Sequence, residues 1–154
     1  MHLNDRDATP DVVAVWRTML EIHGRLIGEL APALAEHGLS ISEFDVLINL
    51  SPRESCRHGD LAERVVLSRT ALTRLVDRLC ARGLLTREPD PSDQRGVLIR
   101  LTEAGREQRR TASRTNNRVV RAGLTGLDAD GLTELNRLLH DLNHPQPTPE
   151  GNPK

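Results

Sequence analysis

At 154 residues, with 37% hydrophobic and 28% charged positions, the chain suits about one domain with a core of its own. Only Trp16 and Phe44 are aromatic, which excludes a large aromatic cage and the stacking platforms of single-strand binders. No apolar run reaches the ~18 residues of a membrane span. The N-terminus lacks a basic-then-apolar signal, and Cys56 and Cys80 are too few for a secreted disulfide framework. A cytoplasmic location without membrane contact is therefore expected. The net charge of −1 conceals a partition: residues 51–125 carry sixteen Arg against nine acids, between two acidic ends. A basic middle of this kind is a candidate polyanion footprint.

Taken in chain order, the first element is a helix starting after Pro10. Val12, Trp16, Met19, Leu20, His23, Leu26, Ile27, Leu30 and Leu34 recur at steps of three and four. Pro32 predicts a kink or break, and Gly38 a stop. A second helix begins at Ser40 or Ser42, with Ser42 a plausible N-cap, and is stopped by Pro52. A short third helix covers about Gly59–Val65. A fourth, Ser68–Arg82, places Leu72, Leu75, Val76 and Leu79 on one face and ends at Gly83. The period then changes. Residues 84–88 and 96–101 read as two strands joined by a long turn-rich tip, Pro89 to Arg95. Thr102 caps an Arg-rich fifth helix to about Leu124, and a sixth runs over Asp128–Asn143. Four prolines in residues 144–154 predict a disordered tail.

Helix, short turn, helix and hairpin make a winged helix-turn-helix. The expected fold is mainly α with a small β-wing: a winged helix-turn-helix lobe plus a helical dimerisation lobe. An α-helix fills the major groove of duplex DNA, and the start of the second helix of such a pair reaches base edges. Those positions are Ser68, Arg69, Thr70, Thr73 and Arg74, with Arg78 one turn on, all away from the leucine stripe. The hairpin tip offers Arg95, suited to the negative minor groove, with Asp93 to orient its guanidinium. The fifth helix's arginines predict a solvated face or pairing with the acidic first helix. Apolar stripes on the first and sixth helices exceed what a small core covers, which predicts a homodimer.

The stretches Gly59–Arg64, Ser68–Leu79, Arg82–Leu85, Asp90–Gly96 and Leu101–Gly105 together resemble the MarR family of multiple-antibiotic-resistance-type transcriptional regulators. The resemblance covers about residues 40–105. It implies a homodimer on a palindromic double-stranded DNA operator, acting as a repressor released by a small, often phenolic, anionic effector. It implies a single domain, with 10–38 and 106–143 forming the dimerisation lobe and 40–105 the DNA-binding lobe. Wing contacts map to Arg95 and Asp93, and recognition-helix contacts to Ser68, Arg69, Thr70 and Arg74.

Residues that would border an effector crevice are Trp16, His23, Phe44, Asp45, Arg74 and Arg87. Asp45, Arg74 and Arg87 match three positions of a urate-responsive subset, while Trp16 does not match the fourth. Cys56 and Cys80 open the alternative of a redox-responsive regulator, although the first-helix Cys of the peroxide-sensing branch is absent. Cys56, His58, His23 and His37 open that of metal sensing, without the spacing that gathers zinc ligands. No phosphate loop, nucleophile elbow or carboxylate pair signals an enzyme, and no cofactor is implied. A winged helix used only for protein–protein contact is the alternative from another class.

Overall fold

The computed structural model describes residues 11–144; the side chains of Gln94 and Arg95, Pro10 and the proline-rich stretch from residue 145 lie outside the described set. In chain order the elements are α1 (Val12–Ala35), α2 (Ile41–Ile48), β1 (Cys56–Arg57), α3 (His58–Arg64), α4 (Arg69–Ala81), β2 (Leu85–Asp90), β3 (Asp93–Leu101), α5 (Glu103–Gly123) and α6 (Ala129–Asn143). The three strands form one antiparallel sheet, ordered β1-β3-β2. The expected class, mainly helical with a small wing, is what the chain adopts. Two compact units divide it, Met1–Val120 and Arg121–Lys154. No described helix is long and apolar enough to cross a membrane.

The first unit holds the core. Leu72, Leu75, Val76 and Leu79 of α4 are buried and join Leu34, Leu47, Leu61, Ile99 and Leu101 in one cluster. Each such side chain contributes roughly 1.5–3 kcal/mol by leaving water. The ends of α4 are set locally. Ser68 is the N-cap and accepts the Ala71 N–H at 3.2 Å. At the other end Gly83 takes φ +70°, and the Gly83 and Leu84 N–H groups return to the Cys80 and Leu79 carbonyls. This left-handed closure suits glycine. Gly38 closes α1 with the same geometry. The Arg82 guanidinium then joins the two ends, donating to the Gly38 carbonyl at 2.8 Å and to Glu43 at 3.1 Å.

Several local expectations are corrected. Helix α1 runs through Pro32 to Ala35 without a break, because Pro32 sits in the last turn. The one carbonyl it deprives of a partner belongs to exposed Gly28. Ser40 caps α2, and Ser42 does not. Ser40 accepts the Glu43 N–H while the Glu43 carboxylate accepts the Ser40 N–H, a reciprocal box that Ser42 lacks. The wing tip is short. Asp90 accepts both the backbone N–H and the hydroxyl of Ser92, so the chain reverses at Pro91-Ser92 and the ladder continues to Asp90–Asp93. Strand β1, unforeseen in the sequence, adds the third edge by pairing Cys56 with Ile99 and Arg57 with Leu98.

Thr102 caps α5 as expected, accepting the Gly105 N–H at 2.9 Å and donating to the Gly83 carbonyl at 2.7 Å. The arginines of α5 divide: Arg114, Arg118 and Arg121 are exposed, the solvated face expected of this helix, while three others act as braces. Arg106 and Arg110 pair with Glu103 and Glu107 on the same helix, and Arg109 donates to the Leu47 carbonyl at the end of α2. Gln108 donates to the His37 carbonyl, and the His37 ring lies 2.7 Å from the Thr115 hydroxyl. In the second unit, α6 is capped by Asp128 and carries Arg137 between Glu134 and Asp141. None of its residues is buried, and Leu132, Leu138, Leu139 and Leu142 are exposed.

Candidate nucleic-acid interface

The face of α4 opposite its leucine stripe carries Arg69, Thr70, Thr73, Arg74 and Arg78, all exposed. The segregation follows from the helical period: with 72, 75, 76 and 79 drawn into the core, 69, 70, 73, 74 and 78 must point out. In the turn before α4, Val66 is 97% exposed. The Thr73 hydroxyl donates to the Arg69 carbonyl at 2.9 Å and lies 3.3 Å from His58 Nε2. Arg87 on β2 pairs with Asp77 at 2.5 Å, joining the wing to α4. Asp93 begins β3 and is exposed. Arg95 belongs to the same strand, and its side chain lies outside the described set.

Between α3, α4 and the wing opens a cleft of about 520 Å³, lined among others by Arg57, His58, Asp60, Thr73, Arg87 and Asp93. Burial, with Arg87 and Arg69 nearby, lowers the His58 pKa from its usual value, favouring the neutral ring at neutral pH. Of the residues expected to border an effector crevice, Arg87 lines this cleft. Arg74 lies on the exposed face of α4, and Phe44 is in the core. Asp45 is half-buried, its carboxyl pushed up by burial and bonded by Asn49. Trp16, 56% exposed, and His23 lie on the open face of α1.

Four polar residues of this region went unremarked in the sequence as parts of an interface: Arg57, Asp60, Asp77 and Asp90. Two of the hydrogen bonds that join them link positions far apart in the chain, Arg87 to Asp77 at a separation of 10 and Arg57 to Asp90 at 33. Periodicity carries no signal at such separations. Cys56 and His58, considered as metal ligands, face different surroundings: Cys56 is buried in the core and His58 meets Thr73. Among the described residues no group of three or more His, Cys, Asp or Glu is placed to hold a metal ion.

A helix-turn-helix whose second helix exposes an arginine- and threonine-bearing face, followed by a hairpin on a three-stranded sheet, defines a winged helix-turn-helix protein. The model of the MarR family matches residues 39–97. AbsC, a MarR family transcriptional regulator from Streptomyces coelicolor, is 31% identical; the alignment covers 90% of this chain and 96% of that one, with a TM-score of 0.79. Sco3205 from the same organism, a MarR family regulator solved in complex with DNA, is 27% identical over 97% of this chain and 96% of its own, with a TM-score of 0.79. CouR from Rhodococcus jostii RHA1, solved bound to p-coumaroyl-CoA, is 26% identical over 87% and 94%, with a TM-score of 0.75. The first curated relatives it matches are spanned over 62%, 47% and 54% of their own length. The chain belongs to the MarR family.

Proposed function

We propose that the protein is a homodimeric regulator of transcription that binds a palindromic duplex operator, represses there, and is released by a small anionic ligand. The observation that carries this reading is the exposed polar face of α4, set by the burial of its opposite stripe. Arg69, Arg74 and Arg78 supply charge and bidentate donors to phosphates and guanine edges, and Thr70 and Thr73 supply methyl and hydroxyl groups. Ser68 accepts a backbone N–H as N-cap and keeps its own hydroxyl proton for a phosphate. Arg95, with Asp93 beside it on β3, would enter the adjacent minor groove. The complex of Sco3205 with DNA supports this use of the fold.

Dimerisation is supported by what each helix leaves uncovered: Val12, Val13, Trp16, Met19 and Leu20 on α1, and the four exposed leucines of α6. For the ligand, the cleft beside α4 presents His58 and Arg87, a hydrogen-bonding and a cationic group able to meet a carboxylate, with Asp60 and Asp93 also in its lining. The p-coumaroyl-CoA complex of CouR supports an effector-responsive reading. Selection of bound fragments from random duplex DNA tests the proposal. The expected outcome is an inverted repeat with half-sites about 10 bp apart, one helical turn. Light scattering should give twice the chain mass of 17.1 kDa. Recovery of no enriched duplex, or a monomer at micromolar concentration, would overturn it.

The thiols bear on the redox alternative. Burial raises both the Cys56 and the Cys80 pKa, which lowers the thiolate fraction that reacts with peroxide. Reduced and peroxide-treated protein are expected to bind the selected duplex with equal affinity. A loss of binding reversed by dithiothreitol would favour redox sensing.

A further inference from the structure

Arg57 stands where β1 meets α3, and its guanidinium crosses to the turn of the wing. Nε donates to Asp90 Oδ2 at 2.7 Å, and Nη2 donates to Ser92 Oγ at 2.8 Å. The second oxygen of Asp90 accepts the Ser92 N–H at 2.9 Å and the Ser92 hydroxyl at 2.6 Å. The ring of bonds is closed: Ser92 Oγ donates to the carboxylate and accepts from the guanidinium. Asp90 is 6% exposed, so its charge is sheltered and its bonds are stronger than those of a surface pair.

The strand ladder alone holds this turn weakly. Its register is irregular between Pro89 and Asp90, and Pro89 and Pro91 have no N–H to give. Gly96 packs behind Asp90 so closely that a Cβ there would stand 2.8 Å from the Asp90 Cβ. The turn thus has one defined seat, and among the described residues the polar contacts that hold it include those of Ser92 within the turn and of Arg57 at the start of the helix-turn-helix.

We propose that Arg57 is a positioning residue for DNA binding: through Asp90 and Ser92 it fixes the wing turn, and with it β3 from Asp93 onward, relative to α3 and α4. The inference rests on the DNA-binding reading above, and it makes wing placement a property of the helix-turn-helix instead of the hairpin alone. The competing role for Arg57, which is about half exposed, is a direct phosphate contact.

The two roles predict opposite signs. Arg57→Ala weakens binding in either case. Asp90→Asn removes a negative charge near a polyanion, so electrostatics alone tightens binding, whereas loss of the clamp weakens it by about tenfold, the equivalent of one charge-assisted pair. Arg57→Lys keeps the charge but cannot span both partners, so it should bind as weakly as Arg57→Ala while retaining the wild-type salt slope. The experiment titrates these variants on the selected duplex at several salt concentrations, with thermal melts as the folding control. Amide hydrogen exchange over residues 89–97 of the free protein reads the clamp without DNA and should be faster in all three variants. Should Asp90→Asn fail to fold, Ser92→Ala takes its place, with a weaker loss in the same direction. Rescue by Arg57→Lys with tighter binding by Asp90→Asn, or unchanged exchange in the variants, overturns the proposal. Wild-type protein that selects no duplex overturns the DNA-binding reading instead, and the exchange data still decide whether the clamp exists.

Discussion

Gly105→Ala should destabilise the protein by more than about 3 kcal/mol, a drop in melting temperature on the order of 10 °C for a chain of this size. Helix propensity alone argues the reverse, since Ala is better than Gly in a helix interior by about 1 kcal/mol. Packing decides the sign. A Cβ on Gly105 would lie 2.0 Å from the Leu84 carbonyl oxygen, 3.0 Å from its carbon and 3.2 Å from Leu101 Cδ2. Nothing there yields readily. The Leu84 carbonyl accepts the Thr102 N–H at 3.1 Å, and Leu84 and Leu101 are buried in the core. The start of α5 would have to lift from the sheet, opening the seam that seats the wing strands. Gly28→Ala on α1, where nothing lies within 4 Å of the added methyl, is the control and should be neutral or stabilising by up to about 1 kcal/mol. Urea and thermal melts of the two variants check the pair. A Gly105→Ala protein that melts with wild type would refute this packing of α5 on Leu84.

Arg74→Ala should leave folding within ~0.5 kcal/mol of wild type, because its side chain is exposed on α4 and contributes nothing to the core. Operator binding should fall by ~1–3 kcal/mol, the worth of one bidentate pair with guanine, and discrimination at that base should relax. Arg95→Ala should act differently. An arginine of the wing in the minor groove supplies charge and reads groove width, so its removal should flatten the log-affinity against log-salt line by roughly one phosphate-equivalent, with little change in base preference. Asp93→Ala should reproduce part of that effect, since it frees the guanidinium without removing its charge. Titrations at several salt concentrations, on the selected duplex and on single-base variants, separate the two kinds of arginine. Equal affinity of Arg74→Ala for the selected duplex would remove α4 from the interface.

What the sequence by itself determined lies within one or two helical turns. The 72, 75, 76, 79 spacing committed one face of α4 to the core and thereby exposed Arg69, Thr70, Thr73 and Arg74 on the other. Ser68 and Thr102 as caps and Gly38 and Gly83 as stops are likewise local, since each bonds or closes within four residues of its own position. The capping box of Ser40 with Glu43 was equally written in the chain, and choosing Ser42 missed a legible signal. Other features had no local signature. Strand β1 is two residues long, too short for a period of two to register, and exists because β3 offers it an edge. The tight wing turn depends on Asp90, whose partners are Ser92 nearby and Arg57 thirty-three positions earlier. Gly105 reads as a weak point in a helix until Leu84 is placed against it. Only the tertiary structure decided these, because a hydrogen bond or a steric contact depends on distance in space. Sequence periodicity reports distance in space only while the chain stays in one regular element.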